Sequence, residues 1–424
     1  MDYRGRVISA TLIWVKDKLL SNIQIKIGTD GHIEAIGECL AEQSQVIHFR
    51  NTVLLPGFIN AHSHAFHRFL RGRSEIGNTG ADTFWKWRDN MYKLVEDATY
   101  EQLKTFCKTT FDEMLMAGIT TVGEFHYIHH GNGRFDLDEA VIDAAAASGI
   151  RLVLIETLYC RSGFAATDVL SEQRRFQANV NEFLAKIDVL EAHSKSNENV
   201  TIAVAAHSLR AVDRSSLQKL WNMTNQKKLA FHIHLEEQPK EVEDCIEVEG
   251  TRPSQFLRAN LPINERLTAV HCTYTKREEL DELAKAGVNI WFLGDGIPDL
   301  SEVDTICLGT DCNNRLCFLE EMRWLAFCQN MKENRRNIAS LNAEKLLKIS
   351  TENGARALGL GARVGNFEVG AHFDFVGFDL ESPRLRFVDE NDEMLDAIIF
   401  GCGNSEISIV GVAGQTKFSN QRKN

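Results

Sequence analysis

The run Leu55-Pro56-Gly57-Phe58-Ile59-Asn60-Ala61-His62-Ser63-His64 carries two imidazoles one residue apart. Strand side chains alternate between faces, so at a strand end His62 and His64 point the same way and both rings can reach one cation. Neutral imidazole nitrogen suits zinc, iron or another borderline divalent ion. A third histidine, His234, lies in the apolar run His232-Ile233-His234-Leu235, and a carboxylate ends the run Leu308-Gly309-Thr310-Asp311. His62, His64, His234 and Asp311 therefore form a candidate ligand set for one divalent metal ion, with zinc the first choice. Rim histidines that merely hydrogen-bond would give no reason for an apolar strand to end in Asp311.

Residues so far apart in the chain need a fold that gathers them. Apolar, β-branched runs recur at 53–58, 119–125, 151–158, 200–206, 229–235, 267–272, 288–293 and 305–309. Amphipathic stretches of helical length lie between most of them, at 99–117, 137–147, 170–192, 214–226, 238–248 and 276–286. Eightfold alternation of doubly buried strands with helices predicts a (β/α)8 barrel of the α/β class over residues 53–360. Chemistry in such a barrel sits at the C-terminal ends of its strands. Six of the 14 histidines, His62, His64, His126, His207, His234 and His271, fall at or near a predicted strand end. Residues 1–52 read as short strands with a turn at Thr29-Asp30-Gly31, and 361–424 are strand-like again after a helical stretch at 346–358. Neither end alone buries much apolar area, so the two are expected to pair into one small β-sandwich beside the barrel.

Composition removes several function classes. Over 424 residues the net charge is −12, and no block of five basic residues occurs, which argues against nucleic acid. No apolar run approaches the length of a membrane span, and the first, Ile8 to Val15, is too short for a secretion signal. The expected address is the cytosol. Ten cysteines without a CxxC pair read as reduced thiols, and Cys307, Cys312 and Cys317 lack the spacing of a sulfur-ligated metal. The commonest symmetric assembly, a homodimer, is the expected oligomer.

The opening string, with Ala117-Gly118-Ile119-Thr120-Thr121-Val122 on the second strand, resembles the amidohydrolase superfamily. Longer strings are similar to its N-formimidoyl-L-glutamate deiminase branch. They are Glu124-Phe125-His126-Tyr127-Ile128-His129-His130, Ala206-His207-Ser208-Leu209-Arg210, His232-Ile233-His234-Leu235-Glu236-Glu237-Gln238, Leu293-Gly294-Asp295-Gly296 and Glu320-Glu321-Met322-Arg323-Trp324-Leu325. The resemblance implies hydrolysis of the C=N bond of N-formimidoyl-L-glutamate to N-formyl-L-glutamate and ammonia, a step of histidine degradation. No lysine stands at the end of strand four, at Val204-Ala205-Ala206-His207, to bridge two ions, so one metal suffices.

Asp311 would take the proton of the attacking water, Glu237 would deliver one to the leaving nitrogen, and His271 would hydrogen-bond the water or the tetrahedral centre. By the same resemblance Arg210, a planar fork suited to a carboxylate, would hold the substrate with Tyr127, His207 and the position of His67. Three places depart from that branch. His67 replaces a glutamine, Asp311-Cys312-Asn313 replaces an Asp-Ser-His string, and the loop after strand seven is several residues shorter. The rival readings are a guanine- or purine-type deaminase of the same superfamily and a catalytically impaired scaffold. Arg210 separates the first, because a nucleobase calls for stacking and neutral donors. Six intact catalytic and ligand residues stand against the second.

Overall fold

The computed structural model describes residues 1–73, 83–195, 197–292, 303–336, 341–389 and 393–420. Eight parallel strands follow one another around a barrel: Phe58–Ser63, Ile119–His126, Arg151–Leu158, Val200–Ser208, Phe231–Leu235, Leu267–His271, Asn289–Phe292 and Ile306–Leu308. The ring closes through a parallel bridge between Ser63 and Asp311. Buried β-branched and aromatic residues occupy both faces of these strands, which is why they read as unbroken apolar runs. Fully burying a side chain such as Phe58, Phe125 or Phe231 is worth about 1.5–3 kcal/mol, and many of them act together here.

Helices run on the outside, with Tyr100–Met116 after strand one, Leu137–Ser148 after strand two and Arg214–Lys227 after strand four. Local chemistry sets their ends. The Thr99 hydroxyl accepts from the Gln102 N–H, and Asp213 accepts from the N–H groups of Ser215 and Ser216. Gly149 ends the 137–148 helix at φ 82°, a conformation that favours glycine. The expected 170–192 helix begins only at Val180; the residues before it form loop and a single 3-10 turn.

The two chain ends meet in a second, eight-stranded sheet. Its path runs Gln415–Ser419, Ile407–Val412, Phe375–Asp379, Val46–Pro56, Val7–Val15, Gln24–Ile27 and Ile33–Gly37, with Lys18–Leu20 also paired to Val7–Val15. A separate core including Ile8, Ile25, Ile27, Phe373 and Phe375 lies against it. The 53–58 run is thereby divided between the sheets. Val53 to Pro56 complete the Val46–Pro56 strand, and Phe58 opens the barrel. Gly57 makes the crossing with its N–H on the Asp374 carbonyl, and any Cβ there would collide with Thr120. Arg151, at the start of barrel strand three, forks onto Asp374 at 2.9 and 3.1 Å, tying the two sheets together by a buried ion pair. Among the described residues no helix is long and apolar enough to cross a membrane.

Candidate active site

At the C-terminal end of strand one, His62 and His64 turn the same way, and His234 on strand five meets them. The Nε2 atoms of His62 and His234 stand 3.2 Å apart. Asp311 Oδ1 lies 3.7 Å from His62 Nε2 and 3.5 Å from His64 Nε2. His64 donates its Nδ1 proton to the Phe125 carbonyl at 3.0 Å, which leaves Nε2 as a bare acceptor. Burial pushes the pKa of His64 down to about 3 and those of His62 and His234 well below the usual histidine range, so all three rings are neutral at pH 7. Facing lone pairs of buried nitrogens beside a carboxylate repel one another unless a cation lies between them. The donor set therefore fits a divalent ion.

The backbone is bent to make this cluster. Asp311 sits at φ 44° and His271, which ends strand six, at φ 75°. These left-handed conformations cost about 1–3 kcal/mol each in a non-glycine residue and persist only where surroundings enforce them. Around Asp311 the enforcement is visible: the N–H groups of Thr310 and Asp311 both donate to the His62 carbonyl at 3.1 Å, and the His64 N–H donates to the Asp311 carbonyl at 2.9 Å. Asn60 reinforces the junction, donating to Thr310 Oγ1 and accepting the Thr310 N–H. Asn313, where the resemblance leads one to expect histidine, holds the same seam. Its amide donates to Ser63 Oγ and the His64 carbonyl, and its oxygen accepts from Thr310. At φ 55° asparagine is also among the better tolerated residues.

Above the cluster lies a cavity of about 670 Å³. His64, His67, Tyr127, His207, Arg210, His234, Glu237, His271 and Asp311 line it, while His62 is fully buried beneath. The His271 ring lies 5.0 Å from that of His234, and the His207 ring also 5.0 Å from it. His67 Nε2 and the Tyr127 hydroxyl are hydrogen-bonded at 3.0 Å. Burial, then His64 and His207, keep His67 well below the usual histidine pKa, so the exchange of a glutamine for His67 introduces a neutral ring at pH 7. Glu237 is presented by a loop anchored through its neighbour: Glu236, at φ 51°, accepts from Ser254 and Arg252, and its carbonyl accepts the Tyr274 N–H. Arg210 Nη2 donates to Glu237 Oε2 at 3.2 Å.

Ten of the expected positions are thus gathered, but His126 is not. Phe125 turns inward, its ring stacked 4.3 Å from His234, so its neighbour on the strand faces the helices. There His126 and His129 hydrogen-bond Asp138, with Glu156 beside His129. Other pocket residues carried no sequence motif. Trp87, Arg88, Met91 and Tyr92 come from the Thr83–Val95 helix, and Tyr159, Gln173 and Phe176 from the loop after strand three. The Gln173 amide bridges the hydroxyls of Tyr92 and Tyr159 at 2.9 and 3.0 Å. Cys312 lines the cavity next to Asp311. The expected shortening after strand seven, at Leu293-Gly294-Asp295-Gly296, lies outside the described residues.

A sequence model for the amidohydrolase family matches residues 53–417. The chain belongs to that family. Among its relatives, a formimidoylglutamate deiminase of Pseudomonas aeruginosa is 32% identical over 93% of this amidohydrolase and 90% of its own length. A 5'-deoxyadenosine deaminase of Methanosphaera stadtmanae is 27% identical over 96% and 93%. The crystal structure of an amidohydrolase from Brucella melitensis superposes with a TM-score of 0.88 at 29% identity, covering 98% of this chain and 96% of that one. A zinc-bound adenosine deaminase from Xanthomonas campestris, at 22% identity and a TM-score of 0.81 over 98% and 93%, shares the fold. This amidohydrolase is a hydrolase acting on carbon–nitrogen bonds, from a superfamily that uses a divalent metal.

Proposed function

We propose that this amidohydrolase hydrolyses the C=N bond of N-formimidoyl-L-glutamate to N-formyl-L-glutamate and ammonia, as in histidine degradation. The observation that carries the reading is Arg210, a cation on the wall of the cavity whose floor is the histidine and aspartate cluster. A guanidinium there favours a substrate bearing a carboxylate close to its reacting carbon. Net charge of −12 gives no long-range attraction for such an anion, so the local charge must supply it. The formimidoylglutamate deiminase relative supports the same choice.

His62, His64, His234 and Asp311 would hold one divalent ion, with zinc the first choice by donor type. When bound, such an ion acidifies water and polarises the C=N group at neutral pH. Asp311 accepts the proton of the attacking water through its carboxylate. His271, held at strand six beside His234, hydrogen-bonds the water and the tetrahedral carbon's new oxygen. Glu237 delivers a proton to the departing nitrogen, which leaves as ammonia. Arg210 takes the substrate carboxylate, flanked by His207, Tyr127 and His67, and fixes the reacting carbon over the cluster.

The aromatic wall of Trp87, Tyr92, Tyr159 and Phe176 favours a second reading, a purine-type amine stacked in the same cavity. One assay separates the two: ammonia release from N-formimidoyl-L-glutamate and from adenine- and guanine-type amines, for wild type and Arg210→Ala. We expect turnover of the formimidoyl substrate and a loss of kcat/KM above about 100-fold in the variant with its metal retained. Release from a purine alone would overturn the assignment.

A further inference from the structure

Arg210 is an underused cation. A guanidinium offers five N–H donors in a rigid fork. Among the described residues Arg210 makes one hydrogen bond, to Glu237 Oε2, and its buried Nε donates to nothing. Glu241 Oε2 stands 3.9 Å from that Nε, too far for a hydrogen bond but close enough for strong attraction. The Glu241 side chain is fully buried, and the same Oε2 accepts the backbone N–H of Glu237 at 3.1 Å. Glu241 Oε1 has no partner. One buried carboxylate thus attracts the guanidinium and also fixes the backbone of the residue that guanidinium holds.

We propose that Glu237 and the carboxylate of the substrate compete for Arg210, so that binding of the anionic substrate itself frees Glu237 for the leaving nitrogen, with Glu241 as the positioning residue that keeps the guanidinium in place. This rests on the functional reading above. A single-point contact at 3.2 Å is exchanged for a two-point pair that uses donors now idle, and such pairs are the stronger ones. Two carboxylates on one guanidinium repel each other, so the newcomer displaces the resident. Glu241, fixed in its buried position, keeps the guanidinium against the cavity wall throughout. A substrate with the same reactive group but no carboxylate leaves Glu237 engaged with Arg210. Binding energy at the far end of the substrate is converted in this way into selectivity at the reacting end.

The test uses the metal-loaded full-length enzyme, N-propylformamidine as a carboxylate-free substrate, and propionate as the detached carboxylate. Slow amidine hydrolysis should rise saturably with propionate, by about tenfold or more in kcat/KM, and Arg210→Gln should abolish the activation. Glu241→Gln, which keeps an acceptor for the Glu237 N–H but loses the charge, should raise the half-activating propionate concentration about tenfold, an effect on binding larger than that on the activated rate. Unchanged or inhibited amidine hydrolysis on adding propionate would overturn the competition. N-formimidoyl-L-glutamate is assayed alongside: if it is hydrolysed, that negative result strikes the competition alone. If it is not hydrolysed, the functional reading and this inference fall together.

Discussion

His62, His64 and His234 are held neutral by burial, and a neutral ring is the form that binds a metal. Removing one of them should therefore show first in metal content. His234→Ala is expected to lose more than the roughly 10- to 100-fold in metal affinity that changes around a ligand cause, measured by metal analysis after dialysis; full retention of metal would remove His234 from the ligand set. Glu124 makes a different prediction. It accepts the Ala65 N–H at 2.6 Å while burial raises its pKa to about 8, against an ordinary value of 4.5. The folded protein thus keeps a proton that the unfolded chain releases, so its contribution to stability is greatest below pH 4.5 and shrinks as pH rises toward 8, by up to about 1.4 kcal/mol per unit. Glu124→Gln keeps the acceptor and removes the titration. Its Tm should fall less between pH 5 and pH 8 than that of wild type, and an equal fall would refute the assignment. At this scale the sequence was readable where spacing and alternation spoke together, as at His62 and His64. His126 was misplaced because its strand phase is opposite to that of Phe125, and Tyr92, Tyr159 and Gln173 belong to no motif that would mark them as pocket residues.

Among the elements, the meeting of strands one and eight is the most constrained. A Cβ on Gly309 would lie 2.4 Å from Trp291 Nε1 and 2.6 Å from the His62 carbonyl, with no flexible neighbour to yield. Gly309→Ala should push the two strands apart at a cost on the order of 1–3 kcal/mol or more, seen as a lower urea midpoint together with weakened metal retention. A normal midpoint would mean that the junction is looser than its geometry. Seven of the eight barrel strands lay close to where their apolar runs fell. The first was displaced because Val53 to Phe58 is one continuous apolar run serving two sheets, and hydrophobicity alone cannot mark the change of partner at Gly57. The late start of the helix at Val180 has a related cause: polar and apolar residues in the 170–179 loop imitate helical spacing while packing into the pocket wall.

Across the whole molecule, the barrel and the sheet of the chain ends depend on each other through Arg151 and Asp374. Both are buried, and Asp374 also accepts the Ala413 N–H at 2.6 Å. Asp374→Ala strands a buried guanidinium and should cost about 3–5 kcal/mol in chemical denaturation. Replacing both partners by apolar residues should cost much less, and equal costs would show that the charge is not the source. That the ends pair with each other was legible from their inability to bury enough area alone. The ion pair that joins them was not, since no local pattern links residue 151 to residue 374.

The seam between strands one and eight carries a consequence for biogenesis. Residues 58–64 belong to the first barrel strand to be synthesised and residues 306–313 to the last, yet the His62 carbonyl and the Asp311 backbone clasp each other while their side chains form half of the candidate cluster. A chain that stops before residue 306 lacks both the clasp and the fourth donor. Capture of the ion would thus report that the eighth strand has been made and has docked against the first, an inspection that a chain truncated ahead of that strand could not pass.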